Sequence, residues 1–225
     1  MVDTTDATYQ VSEVFLSLQG EGPSAGTPAH FVRLQGCGVG CHWCDTRYSW
    51  DPAGGRAVPA ERIWSEARGL GEAPLLVVTG GEPLEHRELR GLLVQALEQW
   101  PRVEVETSGI APPPLSHPRL FYNVSPKLPS ATPRWADSWR AAADWVKEPN
   151  ATFKIVVGDP PDPDDTVRLI AEHALPAPRV MLMPEGITDE RIRAHAAPLA
   201  ELCKAKGFRM SPRLHVWMWG ARRGV

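Results

Sequence analysis

"HFVRLQGCGVGCHWCDT", residues 30–46, runs from an apolar stretch (30–36) straight into a loop carrying Cys37, Cys41 and Cys44, three of the chain's four cysteines. Three thiolates this close can hold zinc, hold an iron–sulfur cluster, or be spare. Structural zinc sites are closed by four protein ligands. His42 adjoins Cys41, so joint ligation of one metal is sterically awkward. Cys203 lies far along the chain beside Leu199 and Leu202 and reads as a small buried thiol. The trio therefore leaves a position open. A [4Fe–4S] cluster held by three cysteines has one iron free for another ligand, an extension of four-cysteine ligation. The spacing favours the cluster and leaves zinc open.

Working outward, strands and helices alternate. The strand-like stretches are 30–36, 75–79, 102–107, 120–124, 152–157 and 179–183. Between them, helical spacing covers 59–70, 86–100, 133–146 and 163–175, and a last helix spans 188–207. Pro198 predicts a bend or break in that last helix, and Gly207 is placed to cap it. Alternation with continuously apolar strands predicts an α/β fold, a parallel sheet of about six core strands covered by helices. Six are too few for a closed eight-strand barrel, so a partial barrel or an open twisted sheet fits. In either, function gathers at the C-terminal ends of the strands, and the cysteine loop follows one such end.

Composition narrows the class. A chain of 225 residues with 43% apolar and 23% charged residues suits one globular domain with a real core. The net charge of −3 gives no strong field for nucleic acid, and no basic stripe accompanies the nine tryptophans, which read as core and dimer contacts. No basic segment followed by an apolar run opens the chain, and no apolar run is long enough to span a membrane. The expected location is the cytoplasm, where clustered cysteines point to metal or catalysis and not to disulfides. The 23 prolines crowd into "APPPLSHP", "PKLPSATP" and "GDPPDPDD", which read as rigid connections.

A second motif bears on the loop. "VVTGGEP" (77–83) places two glycines and a carboxylate after an apolar strand. Alone, Gly80-Gly81 is a strand-to-helix turn. With Trp43 directly before the third cysteine, the pair of motifs resembles the radical S-adenosylmethionine (SAM) superfamily. "FLSLQGEGPSAGTPAHFVRLQGC" (15–37), "VETSG" (105–109), "NVSPK" (123–127) and "LHVWMWGARRGV" (214–225) extend the likeness over nearly the whole chain. This ordered set resembles the 7-carboxy-7-deazaguanine synthases within that superfamily.

The resemblance implies a single radical SAM domain over 1–225, with N- and C-terminal segments completing the substrate pocket. It implies a partial parallel β/α barrel. It implies a carbon–nitrogen lyase reaction, 6-carboxy-5,6,7,8-tetrahydropterin to 7-carboxy-7-deazaguanine with loss of ammonia, on the path to deazapurines such as queuosine. The implied cofactors are a [4Fe–4S] cluster, SAM and Mg2+, with one electron from the cluster cleaving the sulfonium. An electron donor such as flavodoxin or ferredoxin and a homodimer are also implied, with no role for nucleic acid or membrane. Position by position, Cys37, Cys41 and Cys44 match the cluster ligands and Thr46 the magnesium ligand. Trp43, Cys44, Asp45, Gly81, Glu106, Ser125, Pro126 and Lys127 match the SAM contacts, and Met183, Pro184 and Glu185 match a further strand end more loosely. Leu18, Gln19, Gly20, Arg33 and Thr79 match substrate contacts, and the carboxylate of Val225 is implied to meet the pterin. His215 is assigned no role. Taken singly, each has a plainer reading: Arg33 a surface ion pair, Thr46 a turn cap, Glu106 a paired structural carboxylate, Lys127 a solvated lysine. A glycyl-radical activase shares the size and cysteine spacing, and a non-catalytic zinc-binding module is the rival of another class. "SLQGEG" and "WGARRGV" fit the pterin enzyme better than the activase.

Overall fold

A computed structural model describes residues 7–220 and 222–225. Its centre is the parallel array that the apolar runs predict: β2 (Pro28–Leu34), β4 (Leu75–Gly80), β5 (Arg102–Thr107), β6 (Leu120–Val124), β7 (Ala151–Val157) and β8 (Val180–Pro184), side by side in that order. Each neighbouring pair runs parallel. These strands are buried almost throughout, as a sheet covered by helices requires. The sheet is an open, partial β/α barrel.

Three edge strands lie outside the predicted set. β1 (Thr8–Leu18) pairs antiparallel with β2, and β3 (Arg56–Pro59) pairs antiparallel with β1. At the other edge, β9 (Arg209–Met210) joins β8, giving one nine-stranded sheet. The register of β1 on β2 shifts between Val11 and Glu13, a bulge that re-aims the following side chains.

The helices α1 (Ala60–Gly69), α2 (Leu89–Gln99) and α5 (Asp189–Lys206) fall within the predicted stretches, and α4 (Asp162–Glu172) begins one residue before its own. α2 starts later than its spacing suggests, because Pro83–Glu85 forms a separate 3-10 turn. The stretch 133–146 divides into a 3-10 turn, Trp135–Trp139, and the short α3 (Ala142–Lys147). α5 is not divided: it runs unbroken through Pro198. Thr188 caps its start by accepting from the Arg191 N–H, Leu199 and Cys203 bury its inner face, and Gly207 closes it in the left-handed region (φ 71°). One more helix, α6 (Leu214–Trp219), precedes the C-terminal segment. The main core lies between sheet and helices, with Trp64, Leu93, Tyr122, Trp145 and Phe153 among its largest members.

Candidate active site

A cavity of about 280 Å³ opens over the C-terminal ends of the parallel strands. Thr79 and Gly80 from β4, Glu106 and Thr107 from β5, Asn123 and Ser125 at β6, Val156 from β7 and Met183 from β8 all line it. The cysteine loop, the turn after β1 and the C-terminal segment supply the remaining walls. Of the residues singled out in sequence, Leu18, Gln19, Gly20, Arg33, Cys37, Cys41, Trp43, Cys44, Asp45, Thr46, Thr79, Gly81, Glu106, Ser125, Lys127, Met183 and Val225 meet there. Pro126, Pro184 and Glu185 do not line it. Glu185 turns to the Arg191 guanidinium instead, 2.5 Å away.

The cysteine loop is tied down along its length. Gly36 and Cys37 donate to the carbonyls of Ser49 and Trp50 (2.7 and 3.1 Å), and Gly38 donates to the Glu85 carboxylate (2.8 Å). His42 donates to the Ala131 carbonyl and the Thr132 hydroxyl to that of Val39 (2.8 and 2.7 Å), so the proline-rich stretch behind β6 backs the loop. All four cysteines are free thiols. Burial pushes the Cys37 and Cys41 thiols up, so loading a metal there must displace their protons. The Cys44 sulfur accepts from the Trp50 indole N–H (3.3 Å) and the Thr46 backbone N–H (3.4 Å). Among the described residues no three Cys, His, Asp or Glu side chains converge on a single ion. An all-sulfur donor set around a shared cavity fits a cluster, whose three thiolates each take a different iron. Cys203 is buried in the core and donates to the Arg209 carbonyl (3.4 Å), away from this loop.

The Gly-Gly-Glu-Pro turn locks to the same loop. Gly81 donates to the Leu34 carbonyl (3.0 Å) and Glu82 to that of Gly36 (2.9 Å). A Cβ at Gly81 would collide with the Gly36 carbonyl, which is why glycine stands there. The buried Glu82 carboxylate accepts from Leu84 N–H (2.9 Å), the Thr107 hydroxyl (2.5 Å), and the N–H and hydroxyl of Ser108 (2.7 and 2.5 Å). It is a brace joining the ends of β4 and β5.

Thr46 starts the 3-10 turn Arg47–Ser49 without a side-chain capping bond. Its hydroxyl is not spent as a cap but lies 3.5 Å from the Cys44 sulfur, and Thr46 lines the cavity. Lys127 lies over the Trp43 ring (5.6 Å to its centroid) and donates to the Ser125 hydroxyl (3.1 Å). Glu106, expected beside SAM, accepts from two residues expected beside substrate: Gln19 Nε2 (3.1 Å) and the Thr79 hydroxyl (2.8 Å).

Glu21, Lys154, Arg213 and His215 are among the cavity residues to which sequence reading assigns no role. Lys154 is buried in β7 and pairs with Glu21, with Glu106 at 3.9 Å. Arg213 bridges Glu21 (3.1 Å) and Asp45 (2.5 Å). Burial alone would raise the Glu21 carboxyl, but Lys154, Arg213 and His215 hold it far below the usual range. Burial likewise opposes the Lys154 charge, and Glu21 and Glu106 outweigh it, so its pKa is raised. Burial lowers the His215 pKa against the pull of Glu21, leaving a neutral imidazole at pH 7. Gly20 makes room for that ring, since a Cβ there would meet His215 Nδ1. The available signal was a lone lysine inside the apolar run "TFKIVV".

Comparison with known proteins gives matches over most of the chain. The sequence profile described as the Radical SAM superfamily matches residues 31–199. The 7-carboxy-7-deazaguanine synthase of Pyrobaculum aerophilum is 42% identical over 222 residues, covering 96% of each chain. That of Hyperthermus butylicus is 36% identical over 225 residues, covering 94% of this chain and 93% of its own. The crystal structure of QueE from Escherichia coli superposes with a TM-score of 0.66 at 29% identity, over 91% of this chain and 93% of that one.

Proposed function

Because the chain belongs to the radical SAM superfamily and, within it, to the 7-carboxy-7-deazaguanine synthases, we propose that its cavity converts 6-carboxy-5,6,7,8-tetrahydropterin to 7-carboxy-7-deazaguanine. Loss of ammonia would make it a carbon–nitrogen lyase. The observation carrying this reading is that the cysteine loop, the Gln19 turn and the C-terminal segment line one cavity. The chain then acts as one radical SAM domain whose terminal segments complete the pocket.

Cys37, Cys41 and Cys44 hold the [4Fe–4S] cluster in this reading, and Gly81, Trp43, Asp45, Ser125, Lys127 and Met183 hold SAM. When loaded, the cluster supplies the electron that opens SAM and so provides hydrogen-abstracting chemistry. The protein's part is placement and exclusion of water. Leu18, Gln19 and Gly20 face the flat edge of the pterin, with Arg33, Thr79 and Val225 around it. A pterin edge offers amide and amine groups, which suit the Gln19 carboxamide and the Glu106 carboxylate. Glu106 is already oriented by Gln19 and Thr79 and so contacts substrate at no added ordering cost.

Thr46 would hold Mg2+ through its hydroxyl, an oxygen donor of the kind that ion takes. The enzyme works in the cytoplasm as a homodimer, taking electrons from a flavodoxin or ferredoxin. Among the described residues no helix is long and apolar enough to cross a membrane.

The test is turnover by anaerobically reconstituted protein given reductant, SAM, Mg2+ and the carboxytetrahydropterin, with 7-carboxy-7-deazaguanine read by mass spectrometry. Product is expected, and Thr46→Ala is expected to weaken the response of rate to Mg2+ while leaving iron content intact. Iron-loaded protein that cleaves SAM but forms no deazaguanine sinks the proposal. An identical Mg2+ dependence in the two forms removes Thr46 as the ligand.

A further inference from the structure

One carboxylate beside the cavity gathers three donors from three parts of the chain. Glu13 lies on β1 just past the bulge, opposite Arg33 of β2. Its Oε1 accepts from Arg33 Nε (2.7 Å) and from the Tyr48 hydroxyl (2.7 Å). Its Oε2 accepts from Arg223 Nε (2.8 Å) in the C-terminal segment. The Arg223 guanidinium also lies over the Tyr48 ring, 4.1 Å from its centroid, close enough for a strong cation–π contact. Burial alone would raise the Glu13 carboxyl, but the hydrogen bonds from Arg223, Tyr48 and Arg33 hold it below the usual carboxylate range. Burial and the Glu13 carboxylate push the Tyr48 phenol up to about 12, against the pull of Arg33, so it stays a donor at any working pH.

The other end of this arrangement is the cavity. Gly220 ends α6 at φ 67°, and Arg222, Arg223, Gly224 and Val225 then lie along the cavity mouth. Arg222, Arg223 and Gly224 are exposed and Val225 is half-buried, so this segment has little apolar burial to hold it. Among the described residues, two directed contacts, both made by Arg223, hold it instead. They reach Glu13, which also fixes Arg33, and Tyr48, which follows Thr46 by two residues.

We propose that Arg223, Glu13 and Tyr48 form a latch that holds segment 222–225 over the substrate side of the cavity, with Arg223 a positioning residue for the pterin. This rests on the proposed reaction for its substrate and on the geometry alone for the latch. Glu13 serves Arg33 through one oxygen and Arg223 through the other. The segment and the strand-borne arginine therefore share one carboxylate.

The experiment compares the full chain, N-terminally tagged and cluster-loaded, with Arg223→Gln and Tyr48→Leu. Two quantities are read: the KM for the carboxytetrahydropterin, and the rate of limited trypsin cleavage after Arg222, followed by mass spectrometry. Arg223→Gln is expected to raise KM roughly tenfold, the scale of one charge-assisted contact, with little change in kcat. Cleavage after Arg222 should accelerate in both variants. Tyr48→Leu leaves the cleavage sequence intact, so its acceleration reports release of the segment. Visible cluster absorption and pterin-independent SAM cleavage should match the parent, and Arg223→Lys should recover part of the loss. Cleavage no faster in Tyr48→Leu overturns the latch. Faster cleavage with unchanged KM overturns the positioning role. A parent that does not turn over the pterin defeats the proposed reaction instead, and the trypsin comparison still decides the latch.

Discussion

Alanine at Cys37, Cys41 or Cys44 is expected to abolish the visible absorption of reconstituted protein and all reductive SAM cleavage, whereas Cys203→Ala is expected to retain both. The first three thiols line one cavity and sit in a loop pinned at five places by backbone and side-chain bonds. Losing one removes a ligand that nothing nearby replaces, since among the described residues no other Cys or His lines the cavity except His215. His215 sits over Gly20, on the turn side of the cavity. Cys203 packs in the core, so its loss trims one small side chain, a cost of roughly 1 kcal/mol to stability and none to the cluster. Iron and sulfide analysis beside the absorption spectrum checks this. Retention of the cluster by Cys41→Ala together with its loss from Cys203→Ala would mean that the ligand set is another one.

Lys154→Met is expected to destabilise the fold by about 2–3 kcal/mol, less than the roughly 3–5 kcal/mol of a fully unpaired buried charge because Arg213 still pairs with Glu21. Glu21 keeps only Arg213 and the neutral His215 once the ammonium is gone. The sign can be tested with a second change. Lys154→Met combined with Glu21→Gln should recover part of the loss, because the buried carboxylate that lost one of its two cations is then neutral. The Glu21 carboxyl lies below its unfolded value, so its contribution is present above about pH 4.3 and fades as pH falls through the depressed value. Urea unfolding at pH 7 measures both variants. A single variant within about 1 kcal/mol of the parent would place this pair with ordinary surface bridges.

The six central strands were legible because burial on both faces leaves continuous apolar runs, as in "LLVVT". β1 was missed although Tyr9 and Val11 are buried, because most of the strand is only half-buried and its side chains report no clean alternation. α5 reads as broken at Pro198 only if local propensity decides. Its N-cap and its buried Leu199 and Cys203 hold the helix through the proline. The cavity's motif residues were legible because spacing marks them. Glu21, Lys154 and Glu13 were not, since each acquires meaning only from partners across the sheet: 133 residues separate Glu21 from Lys154, and 210 separate Glu13 from Arg223.

The bonds that pin the cysteine loop bear on how the protein is matured. Small zinc domains fold only when their metal arrives, because nothing else orders the ligands. Here Ser49, Trp50, Glu85, Ala131 and Thr132 order the loop through the polypeptide itself. The chain should therefore fold first and receive iron and sulfide second. Cluster-free protein is expected to melt in one cooperative transition with its sheet signature in circular dichroism intact, and a gradual, non-cooperative melt that sharpens only on reconstitution would contradict this. Iron scarcity would then idle the catalyst without exposing it to proteolysis, leaving a folded reserve that regains activity as soon as the metal supply returns.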